Sequence, residues 1–355
     1  MIAHPPRILV ITLRRLGDVL LTTPLIRSLK LGFEGSTVDA LVFRGTEGML
    51  EGNRDLNKVI VMPQGASLAE TAALVWHLWK RYDLAVTTQT GDRPTFLAWM
   101  AARERVGFAA KVDSGAWWKR HVLGRHVLAQ DKNHRVVELL RLADCLGIAR
   151  HPDIVCPASA RSALPALPDR YAVLHANPMF RIRRWTNDGW RALASALGAR
   201  GLPVVATGGP DPAEKEYLDG LWRGLDVPLM RLDGTLEWPD LATLLRGAAV
   251  YVGPDTSMTH LAAGAGTPTV AIYGPASPSI IGPWPAGGLE TRWAPAGTIQ
   301  HRGNVWLVQN PLPCLPCDKL GCEGHLNSHS QCLDELSVQQ VLAAVDQALG
   351  TARRA

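Results

Sequence analysis

No uninterrupted apolar stretch in the 355-residue sequence approaches the roughly 18 to 20 residues that a membrane-spanning helix needs. The opening MIAHPPRILVITLRR lacks a basic segment ahead of an apolar core and lacks a small-residue cleavage site, so it reads as no secretory signal. Low-complexity tracts and short repeats are also missing. So is a Gly-x-Gly-x-x-Gly fingerprint with an acidic residue about 20 positions later. Neither TGGPDP nor GAGTPT supplies it, which speaks against a two-domain dehydrogenase or epimerase. Zinc-finger, helix-turn-helix and RRM-type patterns are absent too, which weakens the reading as a basic nucleic-acid-binding protein. The net charge of +5 then points to another acidic partner, such as a phosphorylated sugar or an anionic membrane surface. A cytoplasmic location is expected.

What is present describes a globular, turn-rich chain: 47% hydrophobic, 19% charged, with 33 Gly and 25 Pro. The length suits two domains. Short apolar β-rich runs, several of them apolar throughout, among them Ile8 to Ile11, Val38 to Phe43, Lys58 to Met62 and Leu84 to Thr87, alternate with helical patterns around 25–30, 68–81, 94–102 and 134–146. Continuous apolar strands separated by helices predict a parallel sheet covered on both faces. A proline-rich, aperiodic stretch from Ile148 to Asp169 reads as a linker, after which the same alternation restarts at Tyr171. The expected organisation is α/β, with doubly wound domains at 1–165 and 166–335 facing a cleft, and a final helix within 336–355 packing back across both. Ligands of such sheets bind beyond the carboxyl ends of the strands.

Three strand exits carry chemistry. The first, LVITLRRLGDVLLTTP, passes from an apolar strand through Arg14, Arg15 and Gly17 to Asp18. An Asp in a first helical turn can serve simply as a cap. Capping does not call for two arginines beside it, and a carboxylate at such an exit can take a proton from a hydroxyl. The second, YVGPDTSMTHLAAGAGTPTVAIYGPASP, ends a strand at Gly253 and opens a helix with Asp255, Thr256 and Ser257, one turn ahead of His260. Such a helix start receives phosphate through its free amides and dipole. The third, HANPMFRIRRWTNDGW, concentrates Arg181, Arg183 and Arg184 in a loop, where guanidinium groups can clamp a diphosphate.

With these motifs in this order the chain resembles glycosyltransferase family 9, the ADP-heptose:lipopolysaccharide heptosyltransferases, most nearly the heptosyltransferase III type, from about Ile8 to Leu349. The resemblance implies a GT-B architecture of two Rossmann-like domains, acceptor-binding then donor-binding. It implies an inverting, metal-independent transfer of heptose from ADP-heptose to the inner core of lipopolysaccharide, with no cofactor required. A different nucleotide sugar or glycan acceptor within the family is the alternative. Asp18 matches the family's catalytic base. Arg183, followed by Arg184 and Trp185, stands where the family has a lysine that meets the donor phosphates. Asp255, Thr256, Ser257 and His260 match the donor site, with Glu214 or Glu216 near the nucleotide.

On the acceptor side, Ala101 to Arg135 holds eight Lys/Arg against three Asp/Glu, interleaved with Trp117 and Trp118. Lys119 and Arg120, together with Arg14 and Arg15, are therefore expected to meet a phosphorylated glycolipid at the inner leaflet. Trp76 and Trp79, three apart on a helix, are expected in the core or an interface. Finally, Cys314, Cys317, Cys322 and Cys332 form a late cluster that reads as a candidate structural zinc or iron–sulfur site, with buried free thiols as the plainer alternative.

Overall fold

The apolar runs become strands. In the computed structural model, which describes residues 6–110, 117–160, 164–317 and 319–352, the chain divides into two units, Met1–Pro157 and Ala158–Ala355. The division falls ahead of position 165, inside the proline-rich stretch.

The first unit holds β1 (Arg7–Thr12), β2 (Thr37–Phe43), β3 (Lys58–Met62), β4 (Tyr82–Thr87), β5 (Ala102–Ala109) and β6 (Arg125–Leu128), in the order β3-β2-β1-β4-β5-β6. Every pairing is parallel. β1 lies in the middle, and its Ile8, Leu9, Val10 and Ile11 are all buried. Helices cover both faces, so both sets of alternating side chains must be apolar. Between β1 and β4 the direction of winding reverses, and the chain ends leaving those two strands diverge around a crevice. Arg14, Asp18 and the segment Gln89 to Arg93 all follow these two strands.

The second unit repeats the plan. It contains β7 (Ala172–His175), β8 (Val204–Thr207), β9 (Leu229–Arg231), β10 (Val250–Pro254), β11 (Thr269–Ile272), β12 (Ile299–Arg302) and β13 (Val305–Val308), ordered β12-β13-β11-β10-β7-β8-β9. Among the described residues only the β12–β13 pair is antiparallel. Its reversal of winding lies between β7 and β10, whose exits carry the arginine loop and the Asp-Thr-Ser helix start. Trp185, Trp190, Leu193, Val252 and Ile272 build the core. The C-terminal helix Val338–Ala352 lies over β10, β11 and β13 and beside the helix Asn187–Ala199, adding Val341 and Val345 to that core.

Several elements depart from expectation. β6, β12 and β13 carry no strong signal: β6 is mostly exposed at a sheet edge, and β12 is a polar edge strand. The helix expected over 68–81 stops at Leu78, because Trp79 turns the chain and Lys80 adopts a positive φ of 49° before β4 begins. Trp76 and Trp79 are exposed rather than in the core. Among the described residues no helix is long and apolar enough to cross a membrane.

One glycine of the VGPDTS motif has a clear steric role. Gly253 shares a strand face with Tyr251, and a Cβ there would fall on the tyrosine hydroxyl. That hydroxyl is 2.9 Å from Thr259 Oγ1, which ties the strand to the helix that follows.

Candidate active site

Asp18 sits in the short helix Leu16–Leu20 that follows β1. The N-cap of this helix is Arg15, with no side-chain capping bond, so the carboxylate is not a cap. It faces two guanidinium groups instead: Oδ1 is 3.3 Å from Arg135 Nε and 3.8 Å from Arg14 Nη1, with only 15% of the side chain exposed. Yet Oδ1 has no hydrogen-bond donor of good geometry. It is held by the charges of the two guanidinium groups. Arg14 is held below its usual pKa by burial first, with Asp18 opposing and Arg135 adding to the shift. Arg135 opens the helix Arg135–Leu146 and comes from far along the chain. Nothing in the sequence beyond its place in the basic stretch marks it.

The exit of β1 is stiffened by polar contacts. Thr88 Oγ1 donates to Ile11 O at 3.1 Å, Gln89 Nε2 to Leu13 O at 2.7 Å, and Thr22 Oγ1 to Asp18 O at 2.8 Å. Beside it opens a pocket of about 400 Å³, lined by Leu13, Arg14, Phe43, Gln89, Asp92 and Arg93 among others. It lies at the position where an open α/β sheet binds ligands.

Of the expected acceptor residues, Arg14 lines this pocket. Lys119 is not available to a ligand: it is buried, 2.7 Å from Asp92 Oδ1, and donates to Thr90 O at 2.9 Å. Its role is to tie the helix Trp117–Val122 to the pocket wall. Arg120 is exposed and donates to Ala110 O, and Arg15 is exposed beside the Asp18 helix. Residues 111–116 of the basic stretch lie outside the described residues.

In the second unit, Arg183 and Asp255 meet across the exits of β7 and β10. Arg183 Nη1 is 3.1 Å from Asp255 Oδ2 and donates to Asp255 O at 3.1 Å. Tyr273 Oη approaches Oδ1 at 3.3 Å. Burial pushes the Asp255 carboxyl above its usual range, against the pull of Arg183 and the Tyr273 hydroxyl. Thr256 is the N-cap of the helix Ser257–Gly264, its hydroxyl accepting from Thr259 N. Ser257 opens that helix, and His260 is buried one turn in.

The remaining predicted donor residues have structural partners. Arg184 stacks on Tyr217 with its guanidinium 3.9 Å from the ring centroid and donates to Asn177 Oδ1. Trp185 is buried and donates to Leu336 O. Glu214 Oε1 accepts from Gly209 N at 2.9 Å, which closes the TGGPDP loop over the end of β8, while Glu216 is exposed.

His175, the last residue of β7, was not anticipated. Burial pulls its pKa down from 6.5 to about 4, opposed by Thr207. A folded-state pKa below the unfolded one means the unfolded chain protonates first, so stability is full above pH 6.5 and falls as the pH drops towards 4. Replacing His175 by Gln is expected to remove that loss, up to about 3 kcal/mol. Denaturant midpoints measured at neutral pH and near the lower pKa would show it.

The four late cysteines give no support to the expected metal centre. Cys332 is buried, Cys317 half-buried, and Cys314 and Cys322 exposed. Burial, aided by Cys317, Cys322 and Cys314, raises the Cys332 thiol to about 12. Cys322 Sγ accepts from Gln331 N at 3.4 Å. Among the described residues no three His, Cys, Asp or Glu side chains are grouped so as to hold a metal ion. The zinc or iron–sulfur expectation is therefore unsupported, and free thiols describe the segment.

Two Rossmann-like units with polar strand exits at both reversals of winding define a GT-B glycosyltransferase fold. The profile of glycosyltransferase family 9 (heptosyltransferase) matches residues 72–288, and the chain belongs to this family. It is 26% identical over 289 residues to lipopolysaccharide heptosyltransferase 3 of Escherichia coli, covering 76% of this chain and 83% of that protein. In fold it is similar to the glycosyltransferase family 9 protein of Veillonella parvula, with a TM-score of 0.77, 18% identity and coverage of 98% and 97%. It is also similar to the E. coli heptosyltransferase WaaC with ADP, with a TM-score of 0.73, 20% identity and coverage of 96% and 99%.

Proposed function

We propose that this glycosyltransferase moves a heptose from ADP-heptose to the inner core of lipopolysaccharide, with inversion and without a metal ion. The observation that carries the reading is Asp18: a carboxylate at a reversal of winding, flanked by two guanidinium groups, free of any capping duty and with an Oδ1 that accepts no hydrogen bond of good geometry. E. coli lipopolysaccharide heptosyltransferase 3, its relative, supports the substrate class.

Asp18 takes the proton of a core-sugar hydroxyl. The oxygen attacks the anomeric carbon from the side opposite the diphosphate, the bond to ADP breaks, and the proton passes from Asp18 to water. Arg183 and the amides at the start of the helix Ser257–Gly264 hold the charge that develops on the leaving diphosphate, as preorganised donors do elsewhere. Asp255 aims the Arg183 guanidinium, and Arg14 meets the anionic acceptor. The enzyme works on the cytoplasmic side, at the inner-leaflet surface where its glycolipid acceptor resides.

ADP release from ADP-heptose, measured with a heptose-containing core acceptor, tests the reading. Turnover that survives a chelator is expected. Failure with this donor alongside turnover of another nucleotide sugar would move the assignment to a different donor.

A further inference from the structure

Two helices of the first unit carry an apolar surface that their own sheet does not cover. In the helix Leu68–Leu78 only Leu78 is buried. Leu68 is 91% exposed, Trp76 81% and Trp79 53%, and Ala69, Ala72 and Ala73 between them face solvent. The adjacent helix Asp92–Ala101 packs beside it and adds exposed Phe96 and Trp99, which meet edge to face at 6.4 Å. Lys80 joins the two: its Nζ lies 5.9 Å from the Trp79 ring centroid and donates to Trp99 O at 3.0 Å. Singly exposed apolar residues need no explanation, whereas a contiguous aromatic patch on one face does.

Positive charge is in excess around the patch. Lys80, Arg81, Arg93 and Arg103 are exposed, and among the described residues none of them is ion-paired. The neighbouring carboxylates are engaged elsewhere: Glu70 with Ser67, Asp92 with Lys119, Glu104 with Arg125 and Asp83 with the Arg7 amide. Tryptophan rings edged by Lys and Arg are the composition that settles at the boundary between headgroups and acyl chains. The patch also begins at the candidate acceptor pocket, since Asp92, Arg93 and Pro94 line that pocket and open the helix that bears Phe96 and Trp99.

Resting on the reading of the acceptor as a glycolipid, we propose that the face formed by Leu68, Trp76, Trp79, Lys80, Phe96 and Trp99 docks the enzyme on an anionic phospholipid bilayer. The aromatic rings enter the interface and the basic rim meets lipid phosphates. A glycolipid anchored in that bilayer then presents its sugars to the pocket at the near end of the helix Asp92–Ala101. This places the membrane contact on the two helices and the basic residues beside them rather than on Lys119 and Arg125, which are already paired.

The test is sedimentation of the full chain with vesicles of phosphatidylcholine alone and of phosphatidylcholine mixed with phosphatidylglycerol. Wild type is expected to bind the mixed vesicles and to release as salt rises. The double variant Trp76→Ser with Trp79→Ser, and the charge variant Lys80→Glu with Arg103→Glu, should each partition at least tenfold less. Both substitute exposed side chains, and unchanged thermal unfolding verifies the fold. Equal binding by wild type to both vesicle types would overturn the proposal, as would undiminished binding by the variants. Wild type that ignores vesicles but self-associates through this face, with the tryptophan variant monomeric, would assign the face to a second copy and equally overturn it. Turnover with a soluble, delipidated core oligosaccharide should be unchanged in the variants. Loss of vesicle binding with retained turnover thus tests docking separately from the transferase reading.

Discussion

Asp18→Asn is expected to lower turnover by about 10²–10⁴-fold while donor binding persists. The substitution keeps the size and polarity of the side chain but removes the basic oxygen. In the structure that oxygen has no capping bond to lose, so the variant does not unfold the helix Leu16–Leu20 for want of a cap. The neighbouring arginines give a second readout. Two guanidinium groups flank Oδ1 and fix where the carboxylate points. Arg135→Met removes one of them and should lower kcat more than it raises KM, whereas Arg135→Lys should restore kcat in part. Asp18→Asn turnover close to wild type would remove the base role. An unchanged kcat in Arg135→Met would show that Arg135 does not position Asp18.

Arg183→Met is expected to cost about 3–5 kcal/mol of stability, the usual penalty for stranding a buried charge. Asp255 is buried, and Arg183 is the cation that faces it. The sign with pH follows from the raised Asp255 pKa. A carboxyl that holds its proton more tightly when folded makes stability fall as pH rises from the ordinary aspartate value through the raised one. Without Arg183 the pKa rises further, so the loss should be smallest in acid and largest at neutral pH. Thermal unfolding at the two extremes reads it. Arg183→Lys should recover much of the stability because charge is kept, and Arg183→Met with Asp255→Asn should recover part because no charge is stranded. Catalysis separates the two duties of Arg183: if it also stabilises the leaving diphosphate, kcat should fall by about 10²–10³-fold, and Asp255→Asn should not compensate for that loss. Equal stability at both pH extremes would mean that Asp255 is already protonated in the wild type.

Much of this protein is legible without coordinates because its determinants are local. An unbroken run such as ILVI can only be a strand buried on both faces, and its repetition between helical patterns announces two parallel sheets. The residues after such strands are then marked by position alone, which is how Asp18, Arg183 and Asp255 stand out. β13 escapes notice because VWLV, though as long and as apolar as ILVI, sits in a Gly- and Pro-rich segment with no helical pattern ahead of it. The exposed edge strands β6 and β12 escape because they bury too little to need an apolar pattern.

Tertiary structure decided what depends on partners distant along the chain. The sequence places Asp18 at a strand exit, but only the fold brings Arg135 to it. Arg183 and Asp255 read as two separate phosphate-binding elements, and their contact turns one into the counter-charge of the other. Lys119 reads as a free cation until Asp92 is found beside it. Trp76 and Trp79 show helical spacing, which tells which side of a helix is apolar and not whether anything covers it. Periodicity is a property of one segment, whereas charge pairing and burial are properties of what the rest of the chain brings near.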